Sequence, residues 1–168
     1  MVTCKEAFVD IVAVWPFAEG EIDFKVPFNV RTRSVSASDL GVTSVSDLLK
    51  DRPYYSVGEN YDDADCIEIE ERKCTLKSTT KYTSAGRAFD VSLVLIISEK
   101  SEKSVIMADE LSSKAHDFIV LLGDGNYVLL RCDENAYKTS IEETYSLYYE
   151  LKITANMETY NGVIRITT

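Results

Sequence analysis

Histidine and tryptophan occur once each, as His116 and Trp15, and no Cys-x-x-Cys pair is present. Zinc-site spacing is therefore absent, and a serine or cysteine nucleophile would have only one imidazole to serve as its base. No Gly-x-Ser-x-Gly elbow occurs either, so acyl transfer is not expected. Positive charge is scarce: 18 Lys and Arg stand against 28 Asp and Glu, a formal net charge of −10. A surface of that sign repels phosphate backbones, so non-specific nucleic-acid binding is disfavoured, and the weak basic clusters at Arg31 and Arg33 and at Lys73, Lys77 and Lys81 give sequence-specific binding little support. Simple solubility is the plainer use of such a charge, and inward-facing carboxylates in a ring of copies are another. Long apolar runs are missing too. The longest, Phe89 to Ile97, is too short to span a bilayer, so no membrane partner is expected. The opening stretch MVTCKEAFVDIVAVWPF follows Lys5 at once with Glu6 and interrupts its apolar part with Asp10, a poor signal peptide, which predicts synthesis in a cytoplasm. Cys4, Cys66, Cys74 and Cys132 read as reduced, small, buried hydrophobes.

A chain of 168 residues predicts one domain, residues 1–168, with an ordinary core, since 45% of residues are apolar and 27% charged. Tyrosine is abundant, with ten copies, and suits half-buried strand faces and subunit contacts. The clearest elements lie between Phe89 and Cys132. FDVSLVLII is β-branched and reads as a strand buried on both faces. Ile106, Met107, Leu111 and Ala115 fall at helical spacing, predicting one amphipathic helix around residues 105–115. FIVLL and YVLLR flank Gly123-Asp124-Gly125-Asn126, a hairpin signature.

Elsewhere, Ala7–Trp15 reads as a strand ending at Pro16, and Ile22–Val30 alternates as a half-buried strand that Pro27 confines to an edge or a bulge. Residues 31–65 are Ser-rich and turn-prone, predicting a long irregular loop or arm with at most a short helix over Ser44–Lys50. Cys66–Thr79 returns to strand character, and Lys77–Gly86 is a polar loop or strand extension. Asp133–Thr144 looks irregular. Tyr145–Met157 alternates as one long strand, and Asn161-Gly162 signals a final hairpin partner through Val163, Ile164 and Ile166. The sum is a mainly β, α+β fold: an antiparallel sandwich or partly closed barrel of about seven to nine strands with one flanking helix.

Three constellations bear on chemistry. Asp62, Asp63, Asp65, Glu68, Glu70 and Glu71 gather carboxylates of the kind hard cations need, but their spacing is not that of an EF-hand and strand geometry splits them between faces. A solvated acidic face is the preferred reading. Gly123-Asp124-Gly125 precedes a strand rather than a helix and so is a turn, not a phosphate cradle. His116 reads as a protonatable helix C-cap. No catalytic residue, metal ligand or cofactor is assigned.

In the order of its elements, residues 66–168 resemble the tail-tube and related ring-forming virion proteins of tailed bacteriophages: a loop segment, CIEIEE, FDVSLVLII, ADELSSKAHD, FIVLLGDGNYVLL and YSLYYELKIT. Pro16 and Pro27 depart from the clean early hairpin of many tube proteins, so the resemblance extends to tail-ring, connector and completion proteins, including those of crAss-like phages. It implies a sandwich that joins copies of itself into a closed ring through sheet edges, with 31–65 as the reaching loop. It further implies other phage tail or neck proteins as partners, and a place in the virion, in the tail or neck. Tyr54, Tyr55 and Tyr61 are the interface residues expected on that loop. A β-sandwich binding module using the same tyrosines is the alternative, and a metal-dependent hydrolase using Asp62, Asp63, Asp65 and Glu68 a further one.

Overall fold

A computed structural model describes residues 10–22, 33–58, 65–131, 137–159 and 162–167. In chain order its elements are β1 (Ile11–Ala18), β2 (Ser34–Ser36), a 3-10 turn (Ser38–Leu40), α1 (Val45–Leu49), β3 (Tyr54–Ser56), β4 (Cys66–Glu68), β5 (Thr75–Thr83), β6 (Gly86–Ile97), α2 (Glu102–Ser113), β7 (His116–Leu122), β8 (Tyr127–Leu130), β9 (Lys138–Tyr145), β10 (Tyr149–Thr159) and β11 (Val163–Thr167). The strands form a seven-stranded sheet, ordered β2-β11-β8-β7-β1-β3-β4, and a four-stranded sheet, ordered β5-β6-β10-β9. The fold is mainly β and neither sheet closes into a barrel, as a sandwich requires.

Strand periodicity sets the layers. Val91, Leu93, Leu95 and Ile97 of β6 and Leu151, Ile153, Ala155 and Met157 of β10 point to one face, where they meet Val14, Tyr55, Phe118, Val120, Val128 and Leu130 of the larger sheet. This is the inter-sheet core. The opposite face of the larger sheet carries Phe17, Val35, Ile119, Leu129, Ile164 and Ile166, and residues 37–49 cover it with Leu40, Val45 and Leu49. β7 is thus buried on both faces over most of its length, which explains its unbroken apolar run.

Helix α2 closes one side of the sandwich. The Ser101 hydroxyl accepts from the Ser104 backbone at 3.1 Å and the Ser104 hydroxyl accepts from the Ser101 backbone at 3.3 Å, a reciprocal cap that starts the helix three residues before the apolar spacing suggests. Its Leu111 carbonyl accepts from the Tyr137 and Thr139 hydroxyls at 3.0 and 3.2 Å, and Lys103 donates to the Cys66 carbonyl at 3.1 Å, so the helix bridges the β9 and β4 sides.

Several expectations are corrected. Over its described part, the stretch read as an irregular loop or arm is folded on the larger sheet and contributes two short strands, and α1 is the short helix expected there. These short strands raise the strand total above the expected range. β2 pairs with β11, and β3 with β4, in parallel, because each reaches its neighbour by a crossover rather than a hairpin. β1 runs through Pro16: β3 pairs β1 only at Ala13 and Val14, so at Pro16 the strand has one neighbour and tolerates a missing N–H. The long strand expected over Tyr145–Met157 starts only at Tyr149, as β10, and the described part of the stretch read as irregular before it forms β9, the two folded at Ser146–Tyr148. Asn161-Gly162 does not close a hairpin; β10 lies in one sheet and β11 in the other. The proposed strand at Ile22–Val30 falls outside the described residues beyond Ile22.

At that crossing, Gly162 has φ +67, and a Cβ there would stand 3.0 Å from Cγ of Phe89 and 3.1 Å from Nη1 of Arg33. Gly162→Ala combines left-handed strain with overpacking, and the expected loss is on the order of 2 kcal/mol in a chemical denaturation experiment.

Candidate functional site at the edges and turns of the four-stranded sheet

Successive strands of the four-stranded sheet alternate in direction, since all three of its pairings are antiparallel. Its outermost strands, β5 and β9, each have one strand neighbour among the described residues. β5 is polar and mostly exposed along its length, reading TLKSTTKYT, which is the composition an open edge tolerates without indiscriminate sticking. β9 is similar, with Ile141 its one aliphatic side chain packed toward the core.

The register fixes which side chains share the face turned away from the core. Lys77, Ser92, Asn156 and Lys138 make one cross-strand row, Thr79, Asp90 and Glu158 another, and Lys152 and Glu142 a third. Lys81 bonds both Asp90, at 3.0 Å, and Glu158, at 2.9 Å, and the two carboxylates hold its ammonium pKa above the usual value. On this face Lys77, Lys81, Lys138 and Lys152 are matched by Asp90, Glu142, Glu150 and Glu158, so the chain's acid excess lies elsewhere. A shallow cleft lined by Lys77, Thr79, Ser92, Lys138 and Asn156 crosses its middle.

The ends of this sheet carry exposed apolar groups. At the β5–β6 turn Tyr82 is 84% exposed, and at the opposite end, in the β9–β10 turn, Leu147 is fully exposed and Tyr145 and Tyr148 are each 66% exposed. The base of the latter turn is a charge-assisted network. Lys100 donates to the Tyr145 hydroxyl at 3.0 Å, and the Tyr145 and Tyr149 hydroxyls donate to Glu143 Oε2 at 2.7 and 3.1 Å. The Lys100 ammonium also stands 4.9 and 5.7 Å over the two rings. Those two hydroxyls keep the Glu143 carboxyl below its ordinary pKa, while desolvation and then the bond to Glu143 push the Tyr149 phenol up to about 12.

Of the interface tyrosines expected from the sequence, Tyr54 and Tyr55 lie among the described residues. Tyr55 is 0% exposed and belongs to the inter-sheet core. Tyr54 stacks on Trp15 with ring centroids 5.5 Å apart, which holds the covering segment down. Tyr61 lies outside the described residues, as do Asp62 and Asp63. Asp65 and Glu68 are exposed, and among the described residues no three acidic, His or Cys side chains gather where a cation could sit. Cys74 is buried and free; Ile96 N–H donates to its sulfur at 3.4 Å, and burial pushes its thiol pKa up. Cys66 is half-buried and in no disulfide, and Cys4 and Cys132 lie outside the described residues. Gly123–Asn126 is the hairpin turn expected, with Gly125 at φ +88.

His116 is not a helix cap but the first residue of β7, 3% exposed. Its Nδ1–H donates to the Lys114 carbonyl at 2.8 Å, which leaves Nε2 unprotonated in the neutral ring. It borders a cleft of about 280 Å³ shared with Glu21, Arg52, Met107 and Glu110, where Arg52 pairs with Glu21 and lies 3.9 Å over the Phe17 ring. Burial lowers the imidazole pKa below 6.5, against the raising effects of the Lys114 carbonyl, Glu110 and Glu21. A group whose folded pKa is depressed binds protons more readily when unfolded, so its contribution is complete above the unfolded value and is lost as pH falls below it. The melting temperature should therefore drop as pH is lowered from 7 through 6 to 5, and His116→Gln should flatten that part of the profile.

None of the described helices is long and apolar enough to cross a membrane. No protein-family model, curated protein or solved structure matches the chain.

Proposed function

We propose that this protein is a non-enzymatic structural subunit that joins copies of itself edge to edge, β9 of one copy against β5 of the next, into a closed ring. The observation that carries this reading is that, among the described residues, β5 and β9 each have a single strand neighbour on a sheet with an even number of alternating strands, with α2 set against the start of β9 only. With β5 and β10 running one way and β6 and β9 the other, a copy placed alongside in the same orientation meets its neighbour in an antiparallel junction. Every copy can then make the same two contacts, and such a heterologous contact closes into a ring when its rotation permits. The polar character of both edges fits pairing through main-chain hydrogen bonds, with little dependence on apolar contact. Together with the resemblance in element order, this supports a place in the tail or neck of a phage particle, around the DNA path, with other tail or neck proteins above and below. The segment folded on the larger sheet is not needed as an arm in this arrangement.

The test is light scattering and negative-stain imaging of concentrated protein. The expected result is a closed ring of uniform size. Alternate N–H groups of β5 face outward, so of Thr79→Pro and Thr80→Pro, one keeps the β5–β6 ladder and blocks the edge. That variant should remain folded by circular dichroism and lose the ring. A wild-type protein that stays monomeric at high concentration would sink the proposal. The cleft across the outer face of the four-stranded sheet favours a second reading, a ligand-binding module, for which a ligand-dependent rise in melting temperature is the mark.

A further inference from the structure

The cleft of about 280 Å³ bordered by His116 opens between the end of β1, residues 51–53, α2 and the start of β7. None of its lining residues belongs to β5 or β9, so edge-to-edge assembly makes no use of it. Met107 and Leu111 of α2, together with Pro16 and Pro53, give it an apolar wall. Its charged and polar side chains are Glu21, Asp51, Arg52, Glu110 and His116.

His116 distinguishes this cleft from a solvated dent. The residue is 3% exposed yet lines the cleft, and the one hydrogen bond of its ring among the described residues uses Nδ1, on the Lys114 carbonyl at 2.8 Å. Nε2 is the nitrogen left over, and with the proton on Nδ1 it is an acceptor. An acceptor on so buried a ring gains most from a donor that also displaces water, because its bond then forms at low dielectric.

Charge narrows the choice of donor. Arg52 pairs with Glu21 and packs its guanidinium 3.9 Å over the Phe17 ring, so those two charges offset each other and are held in place. Glu110 and Asp51 remain, and neither makes an ion pair among the described residues. Lys114, whose charge acts on Glu21, is exposed and lies outside the lining. The uncompensated charge of the lining is negative. An anion would meet both carboxylates, and an alcohol would satisfy Nε2 but not the charge. A metal ion would need a third ligand, and among the described residues no three acidic, His or Cys side chains gather to supply one.

We infer that this cleft binds a short-chain alkylammonium group, whose N–H bonds go to His116 Nε2 and the Glu110 carboxylate while its methylenes lie along Met107 and Leu111. Glu110 stands near enough to His116 to act on its titration, so one ammonium with three donors spans both acceptors. The volume is at the small end for ligand pockets, which fits an amine of a few carbons and is too small for a nucleotide or an oligosaccharide. The same group is available from two sources, a free amine or a lysine side chain of another protein. The inference does not rest on ring assembly, and neither proposal falls with the other.

The experiment exploits the single histidine of the chain, whose imidazole NMR signals belong to His116 alone. n-Butylamine added to the full-length protein at neutral pH should shift those signals saturably, with one equivalent bound by calorimetry. Sodium butyrate and n-butanol should leave them in place. Ammonium and proton compete for Nε2, so saturating butylamine should lower the pH at which His116 titrates. Glu110, Glu21, Lys114, Arg52 and Tyr137 face that ring, so the titration is compared with and without amine on the same protein. His116→Asn keeps a donor for the Lys114 carbonyl and removes the Nε2 acceptor, and Glu110→Gln, at an exposed position, removes the charge and keeps the shape. Each should weaken butylamine binding about tenfold, the worth of a hydrogen bond to a charged group. Asp109→Asn makes the same charge change outside the lining and should leave the affinity unaltered. Nα-acetyl-lysine amide separates the sources: binding as tight as that of butylamine marks a lysine side chain, and binding of butylamine alone marks a free amine. An unsaturable response, equal binding of butanol or butyrate, or a Glu110→Gln variant that binds no worse than Asp109→Asn would each overturn the inference. So would zinc chloride shifting the His116 signals where butylamine does not.

Discussion

Phe118→Ala should lower the unfolding free energy by about 3–5 kcal/mol, the cost of replacing a large buried aromatic with a cavity that its surroundings fill only in part. Phe118 is 0% exposed and lies in the inter-sheet core. Its ring stacks with Tyr137, at a centroid distance of 6.4 Å, and is tilted to His116 at the same distance. Collapse of the site is resisted on both sides, because the backbone of Phe118 is laddered to Pro16 on β1 and to Leu130 on β8. A domain of this size has roughly 5–15 kcal/mol in total, so the substitution removes a large share of it. The urea midpoint should fall accordingly, with the slope of the transition unchanged. A loss near 1 kcal/mol would mean that the two sheets do not pack through this residue.

The parts of the fold that the sequence makes legible are those whose apolar pattern is decided locally. β6 and β7 are apolar on nearly every core-facing position, and the β7–β8 hairpin has its turn written in Gly, Asp and Asn. β9 is different. Its exposed, polar residues from Lys138 to Tyr145 show no alternation strong enough to distinguish a strand from a loop, because an edge strand owes its conformation to its neighbour's hydrogen bonds. The covering segment was equally hard to read. Leu40, Val45 and Leu49 are its buried anchors, but they sit among serines at spacings that match neither a strand nor a long helix.

The candidate site was less legible than the fold. An edge is defined by the strand that is not beside it, and alternation within one strand says nothing of its neighbours. Tyr145, Leu147 and Tyr149 fit the alternation of one continuous strand, which hid the turn. The break was signalled only by the adjacent pair Tyr148-Tyr149, which puts two aromatics on opposite faces at once. Tyrosine by itself leaves positions such as Tyr54 and Tyr55 hard to assign. A residue that serves both cores and interfaces is placed by tertiary packing, here by Trp15 for the first and by the inter-sheet core for the second.

Tyr55→Phe should make the protein more stable, by about 1–2 kcal/mol, the reverse of what removing a polar contact usually does. The Tyr55 hydroxyl is buried and has no hydrogen-bond partner among the described residues. Desolvation, followed by the nearby Tyr137 and Glu110, pushes its phenol pKa well above the ordinary value, as expected of an oxygen in an apolar setting near negative charge. The ring is the useful part: it fills the space between β3 and the inter-sheet core, and phenylalanine keeps it. Backbone pairing of Tyr55 with Val14 and Ile67 is indifferent to the hydroxyl. Removing that oxygen relieves an unpaired polar group and leaves only a small void, so relief outweighs lost packing. For a chain of this length the melting temperature should rise by roughly 2–6 °C. A fall of similar size would show that the phenol is bonded in solution, and the assembly edges should be unaffected by the substitution in either case.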